Sequence, residues 1–156
     1  GIIRKDMLEK SCRETIDLLD YRKQAAQGSR LNTPPVFGVY CMGLVFDWIA
    51  AQGGLIGIAE RNTAKAKVIY DAIDGSGGFY RGHAQMDSRS EMNVTFRLPN
   101  EDLEKTFVSE AKSHDMDGLK GHRSVGGIRA SIYNAFPIEG CQALAGFMSD
   151  FATKNG

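Results

Sequence analysis

The segment Gly121-His122-Arg123-Ser124-Val125-Gly126-Gly127-Ile128-Arg129-Ala130-Ser131 sets one histidine, two arginines and three glycines at the entrance of an apolar alternation. Glycine lets a backbone turn with positive φ and approach a ligand closely, and each guanidinium offers a planar fork of donors that fits a carboxylate or phosphate. The chemistry implied is the holding of an anion. The same residues also describe an ordinary hairpin with solvated arginines on its edge, and residue types alone leave both readings open. A second candidate is Asn32-Thr33-Pro34-Pro35, ahead of a long apolar run. A helix start presents unpaired N–H groups and the positive end of the dipole, to which Asn32 and Thr33 add side-chain donors; the plainer reading is an N-cap.

Other reactive residues are isolated. His83 and His114 stand in polar loops and are read as facing solvent, Arg89 as an edge residue outside the site, and Tyr133 and Asn134 as packing residues. The chain has no GxSxG elbow, no phosphate-binding Walker loop, no GxGxxG, and no histidine or cysteine cluster with metal spacing. Nothing pairs a nucleophile with a base, so no catalytic residue and no metal ligand is assigned. These residues suit a domain that holds a charged ligand for chemistry done elsewhere.

The elements that must position them follow from periodicity. Residues 4–20 are only loosely helical and 24–30 read as a polar loop. Residues 36–51 are apolar nearly all round and predict a buried helix, capped by Asn32 or Thr33 and ended by Gln52-Gly53-Gly54. A second helix is predicted over about 55–74, with Ile58, Ala66, Ile69, Tyr70 and Ile73 inward and Arg61, Lys65 and Lys67 towards water. Short strands are predicted at Phe79-Tyr80 and 117–120, and longer ones at 92–98 and 128–133. Pro99-Asn100 should cap a helix over 101–113, and a last helix over about 138–152 carries Leu144, Phe147, Met148 and Phe151. The fold class is α/β in the sense of an α+β layer: a small mixed sheet covered by helices on one face.

Composition bounds the partners. With 156 residues, 42% hydrophobic and 24% charged, the chain can bury a core as one globular domain, or one plus a detached piece. Lys+Arg and Asp+Glu are each 19, so no net charge draws it to nucleic acid or to an anionic membrane. Cys12, Cys41 and Cys141 are odd in number and widely spaced, which reads as reduced thiols in a cytoplasmic setting. No apolar run approaches the roughly 18 residues of a membrane span and no signal-peptide pattern is present, so a soluble chain is expected. The opening Gly1-Ile2-Ile3-Arg4 looks like the end of a strand, as in a piece of something longer.

Four motifs, in order, carry a resemblance: residues 31–35 (LNTPP), 43–48 (GLVFDW), 89–94 (RSEMNV) and above all 119–134 (LKGHRSVGGIRASIYN). Across essentially its whole length the chain resembles the C-terminal part of the phosphoserine aminotransferase family, pyridoxal-phosphate enzymes of the aspartate aminotransferase fold. The resemblance implies that residues 1–52 are the end of the large cofactor-binding domain with its interdomain helix, and 53–156 the C-terminal small domain of a fold type I aminotransferase. It further implies that Asn32 and Thr33 reach the cofactor phosphate of the other subunit of a homodimer. Arg129 matches the arginine that holds the substrate α-carboxylate, and His122 and Arg123 match the pair that helps bind the distal phosphate or γ-carboxylate. The implied substrates are phosphoserine and glutamate with their 2-oxo acids, in serine biosynthesis, in the cytoplasm or in the plastid of a plant or alga. The family's Schiff-base lysine lies N-terminal to anything present, and Lys5, Lys10 and Lys23 are outside its motif, so the chain alone is expected to be inactive. Two readings compete: a non-catalytic module that binds a small dianion through His122, Arg123 and Arg129, and a structural dimerisation piece whose apolar residues 31–48 drive self-association.

Overall fold

The computed structural model describes residues 2–10 and 14–156, which form two compact units, Gly1–Trp48 and Ile49–Gly156. Cys12 lies outside the described residues; Cys41 and Cys141 are free thiols.

In the first unit, Ile2 and Ile3 form no strand, contrary to expectation, and lead into helix α1, Lys5–Glu9. Helix α2, Tyr21–Ala26, replaces the front of the expected polar loop because Asp20 supplies a cap, its carboxylate accepting from the Arg22 N–H at 2.9 Å. Helix α3, Val36–Ala51, has the predicted span. Its start differs: neither Asn32 nor Thr33 stands next to the first helical residue, because a residue that precedes proline is driven out of the helical region and both Thr33 and Pro34 do so. The larger correction concerns burial. No residue of α3 is buried, and Phe37 is 79% exposed. A helix apolar on every side needs cover on every side, and the described residues do not provide it.

The second unit is built on helix α4, Gly54–Asp74, strand β1, Arg81–Gly82, strand β2, Asn93–Arg97, helix α5, Glu101–Ser113, strand β3, Ile128–Ser131, and helix α6, Ile138–Asn155. The sheet order is β1-β2-β3 and both pairings are antiparallel, so the sheet is not mixed as expected. The register sets Val94 against Ala130 and Phe96 against Ile128. These four are buried with Ile69 and Ile73 of α4, Phe107 and Ala111 of α5, and Leu144, Met148 and Phe151 of α6. Helices thus cover the apolar face. Asn100 caps α5 as predicted, accepting from the Leu103 N–H at 2.9 Å.

Three further expectations shift. β1 falls at Arg81–Gly82 because Phe79 and Tyr80 are drawn into the aromatic core, where Tyr80 meets Phe96 edge-on at 5.4 Å and donates to the Met148 carbonyl. Residues 117–120 contribute one bridge, Lys120 to Ile128, rather than a strand. Lys65 is buried instead of facing water: its ammonium donates to the carbonyls of Ile132, Tyr133 and Asn134 at 3.1, 2.7 and 3.4 Å, where the chain leaves β3. Burial pushes the Lys65 amine below its ordinary pKa. Tyr133 is mostly exposed and not a packing residue, while Asn134 accepts from Asn62 Nδ2 at 2.9 Å. Among the described residues no single helix is long and apolar enough to cross a membrane.

Arg89 ties the segment before β2 to α4. It lies over the Tyr70 ring at 4.5 Å and makes two 2.7 Å hydrogen bonds to Asp74, which hold that carboxyl below the ordinary carboxylate range. A carboxyl whose pKa is lowered on folding stabilises the protein fully above its unfolded pKa of about 4 and loses this as pH falls through the folded value. Arg89→Met should therefore lower urea stability at pH 7 and approach the unmodified chain in the acid limb. A constant difference down to the lowest pH would assign the effect to packing on Tyr70 alone.

Candidate functional site

The glycine segment is a hairpin whose tip carries His122 and Arg123. The Gly121 N–H donates to the Gly127 carbonyl at 2.8 Å and the Arg129 N–H to the Leu119 carbonyl at 2.8 Å. Between them the N–H groups of Val125 and Gly126 both donate to the His122 carbonyl, closing a tight turn. Two glycines are required by contact, and one of them by angle as well. A Cβ on Gly121 would lie 2.1 Å from the Gly126 carbonyl oxygen, and one on Gly127, whose φ is 71°, would lie 2.8 Å from the Phe96 carbonyl oxygen.

At the tip, His122 Nδ1 is 2.7 Å from Ser124 Oγ and accepts from the Ser124 N–H at 3.3 Å. His122 and Arg123 line a cavity of about 650 Å³ with Lys120, Arg97 and the side of α5 that carries Lys105 and Lys112. Its walls are rich in cations, although Lys105 pairs with Asp102 and Arg97 with Glu104.

Arg129 lies elsewhere. Antiparallel partners share a face, so the register puts Arg129 beside Thr95, Asn93 beside Ser131 and Arg81 beside Arg97 on the side of the sheet away from the apolar core. Ser131 Oγ donates to Asn93 Oδ1 at 3.0 Å. Arg129 Nε is enclosed and has no hydrogen-bond partner among the described residues. An enclosed guanidinium donor without an acceptor is the condition that a carboxylate ligand relieves. The structure does not bring Arg129 into the cavity of His122 and Arg123.

Asn32 and Thr33 are exposed in the other unit, ahead of α3. The Val36 N–H turns back to the Pro34 carbonyl at 2.8 Å, and those of Phe37 and Gly38 have no acceptor within the helix. Exposed side-chain donors beside open helix N–H groups fit a phosphate. His83 and His114 are exposed as expected, His114 resting against Phe147 with ring centres 5.6 Å apart. Sequence reasoning missed Arg97 and Glu104, which touch the hairpin directly. An arginine ending an alternating strand and a glutamate in a first helical turn are too common to signal a site.

With this geometry in view, the comparisons with known proteins define the class. The family model for aminotransferase class-V matches residues 2–144, and the chain belongs to that family. Within it, the chain is 60% identical over 155 residues to the phosphoserine aminotransferase of Herpetosiphon aurantiacus and 55% identical over 153 to that of Geobacillus kaustophilus. These alignments cover 99% and 98% of the chain, which spans 43% and 42% of those relatives' length. Among solved structures, phosphoserine aminotransferase from Bacillus circulans subsp. alkalophilus matches 99% of the chain and 43% of its own length, with a TM-score of 0.90 and 51% identity. A pyridoxal-phosphate-bound phosphoserine aminotransferase from Trichomonas vaginalis matches 94% of the chain and 42% of its own, with a TM-score of 0.84 and 39% identity.

Gly127→Ala should destabilise the chain by about 1–3 kcal/mol, since a side chain there is strained by φ and by contact. Urea denaturation measures it. An unchanged midpoint would show that the hairpin tip is not held against β2.

Proposed function

We propose that this chain is the C-terminal part of a pyridoxal-phosphate-dependent phosphoserine aminotransferase. The intact enzyme transfers an amino group between phosphoserine with 2-oxoglutarate and 3-phosphohydroxypyruvate with glutamate, in serine biosynthesis. The observation that carries the reading is 60% identity to a phosphoserine aminotransferase across 99% of the chain, the basic hairpin included.

When bound, the cofactor supplies the electron sink for amino transfer. The residues of this chain bind and orient. Asn32 and Thr33 donate to the cofactor phosphate, Arg129 holds the substrate α-carboxylate, and His122 and Arg123 take the second anionic end of the substrate. Substrates charged at both ends need donors at two separated places, which accords with Arg129 lying outside the cavity of His122 and Arg123. A self-sufficient dianion-binding module would instead need all three in one cavity. The exposed apolar surface of α3 supports a homodimer in which the partner covers that helix and site residues are shared across the interface. Residues 1–52 then belong to the large domain and 53–156 to the small one. The free thiols of Cys41 and Cys141 accord with a cytoplasmic enzyme, or a plastid one in a plant or alga.

In the intact enzyme, Arg129→Ala should lower kcat/KM for phosphoserine by an amount equivalent to about 2–5 kcal/mol, the cost of leaving a bound carboxylate unpaired. Steady-state kinetics with phosphoserine and 2-oxoglutarate measure this. An unchanged kcat/KM would remove Arg129 from the site.

A further inference from the structure

Arg97 and Glu104 form a clamp that connects the end of β2, the first turn of α5 and the glycine hairpin. Glu104 is 9% exposed, unusual for a carboxylate, and its surroundings account for this. Its Oε2 accepts the Gly127 N–H at 3.2 Å, and both carboxylate oxygens lie 3.3 Å from Arg97 Nη1. Arg97 Nη2 donates in turn to the Val125 carbonyl. The Arg97 side chain also lies close against the two glycines: a Cβ on Gly126 would come within 3.1 Å of Arg97 Nη1, and one on Gly127 within 2.9 Å of Arg97 Cδ. One ion pair therefore fixes both backbone groups at the C-terminal side of the turn that carries His122 and Arg123.

From this geometry we infer that Arg97 and Glu104 are positioning residues for distal-anion recognition, holding His122 and Arg123 where the second negative group of the substrate is received. The inference rests on the reading of His122 and Arg123 given above. Neither residue of the clamp needs to touch substrate. Arg97 has both Nη groups committed to Glu104 and Val125, and Glu104 has its oxygens committed to Arg97 and Gly127. A carboxylate at the cavity wall would repel an anion if it were unpaired, so the pairing also neutralises a buried acid facing the cavity. Losing the clamp frees the turn rather than deleting a ligand, and a mispositioned binding group costs affinity for the end of the substrate it holds.

The test uses the intact enzyme with Arg97→Met, Arg97→Lys, Glu104→Gln and, as reference, Arg123→Ala. Arg97→Met should raise the phosphoserine KM on the order of tenfold with kcat changed by less than about twofold, and should weaken competitive inhibition by inorganic phosphate in parallel. Glu104→Gln keeps an oxygen for the Gly127 N–H and should fall between Arg97→Met and the unmodified enzyme. Arg97→Lys keeps the charge without the planar fork and serves if the Met variant fails to fold; it too should raise KM. A normal phosphoserine KM and phosphate inhibition in folded Arg97 variants, while Arg123→Ala raises KM, would overturn the clamp and leave the functional reading intact. Normal KM values in Arg123→Ala as well would overturn both.

Discussion

The pairing of β2 with β3 is the constraint on which core and site both depend. Because side chains alternate across a strand, setting Thr95 opposite Arg129 commits Phe96 and Ile128 to one face and Arg129 to the other. A slip of β3 by one residue would carry Arg129 under the helices and expose Ile128 and Ala130. The apolar face buries Val94, Phe96, Ile128 and Ala130 under α4, α5 and α6, and that burial holds the register. The arginine on the open face needs no separate device to place it, only a partner for its enclosed Nε.

The register is fastened at both ends of β3 by polar groups that are themselves enclosed. Beyond its C-terminal end, Lys65 gathers three carbonyls that have left the ladder; before its N-terminal end, Glu104 accepts the Gly127 N–H and is neutralised by Arg97. In each case a charged side chain supplies hydrogen bonds where the backbone cannot, and leaving such groups unpaired costs about 1–3 kcal/mol apiece. The same fastenings tie the sheet to α4 and to α5. The hairpin is thus rigid at its base, with its basic residues carried on a short turn.

Much of this was legible in the chain. The alternation from Asn93 to Arg97, the Asn100 cap and the stripe of α6 gave their elements directly, since each is a local pattern. The glycines beside arginines marked where a basic turn would form, and the resemblance gave roles that composition could not. Two of the failures share a cause, which is that distant partners decided them. Lys65 sits beside an apolar stripe and its acceptors lie 67 to 69 residues away. Phe79 and Tyr80 left the sheet for an aromatic cluster assembled from α5, α6 and β2. The N-cap of α3 moved because two prolines veto helical geometry in the residues before them. The cover of α3 was illegible, because its apolar surface records that something packs there and not what.

The central claim is that these residues hold the anionic ends of cofactor and substrate while the cofactor-bearing lysine is not among them. Adding pyridoxal phosphate to the pure 156-residue chain, reducing with borohydride and mapping the product by mass tests it most directly. The account predicts no stoichiometric label, with at most scattered modification of surface lysines and none at Lys65, whose amine is turned to three carbonyls. A stoichiometric label on one lysine would contradict it and would make this chain a cofactor site in its own right.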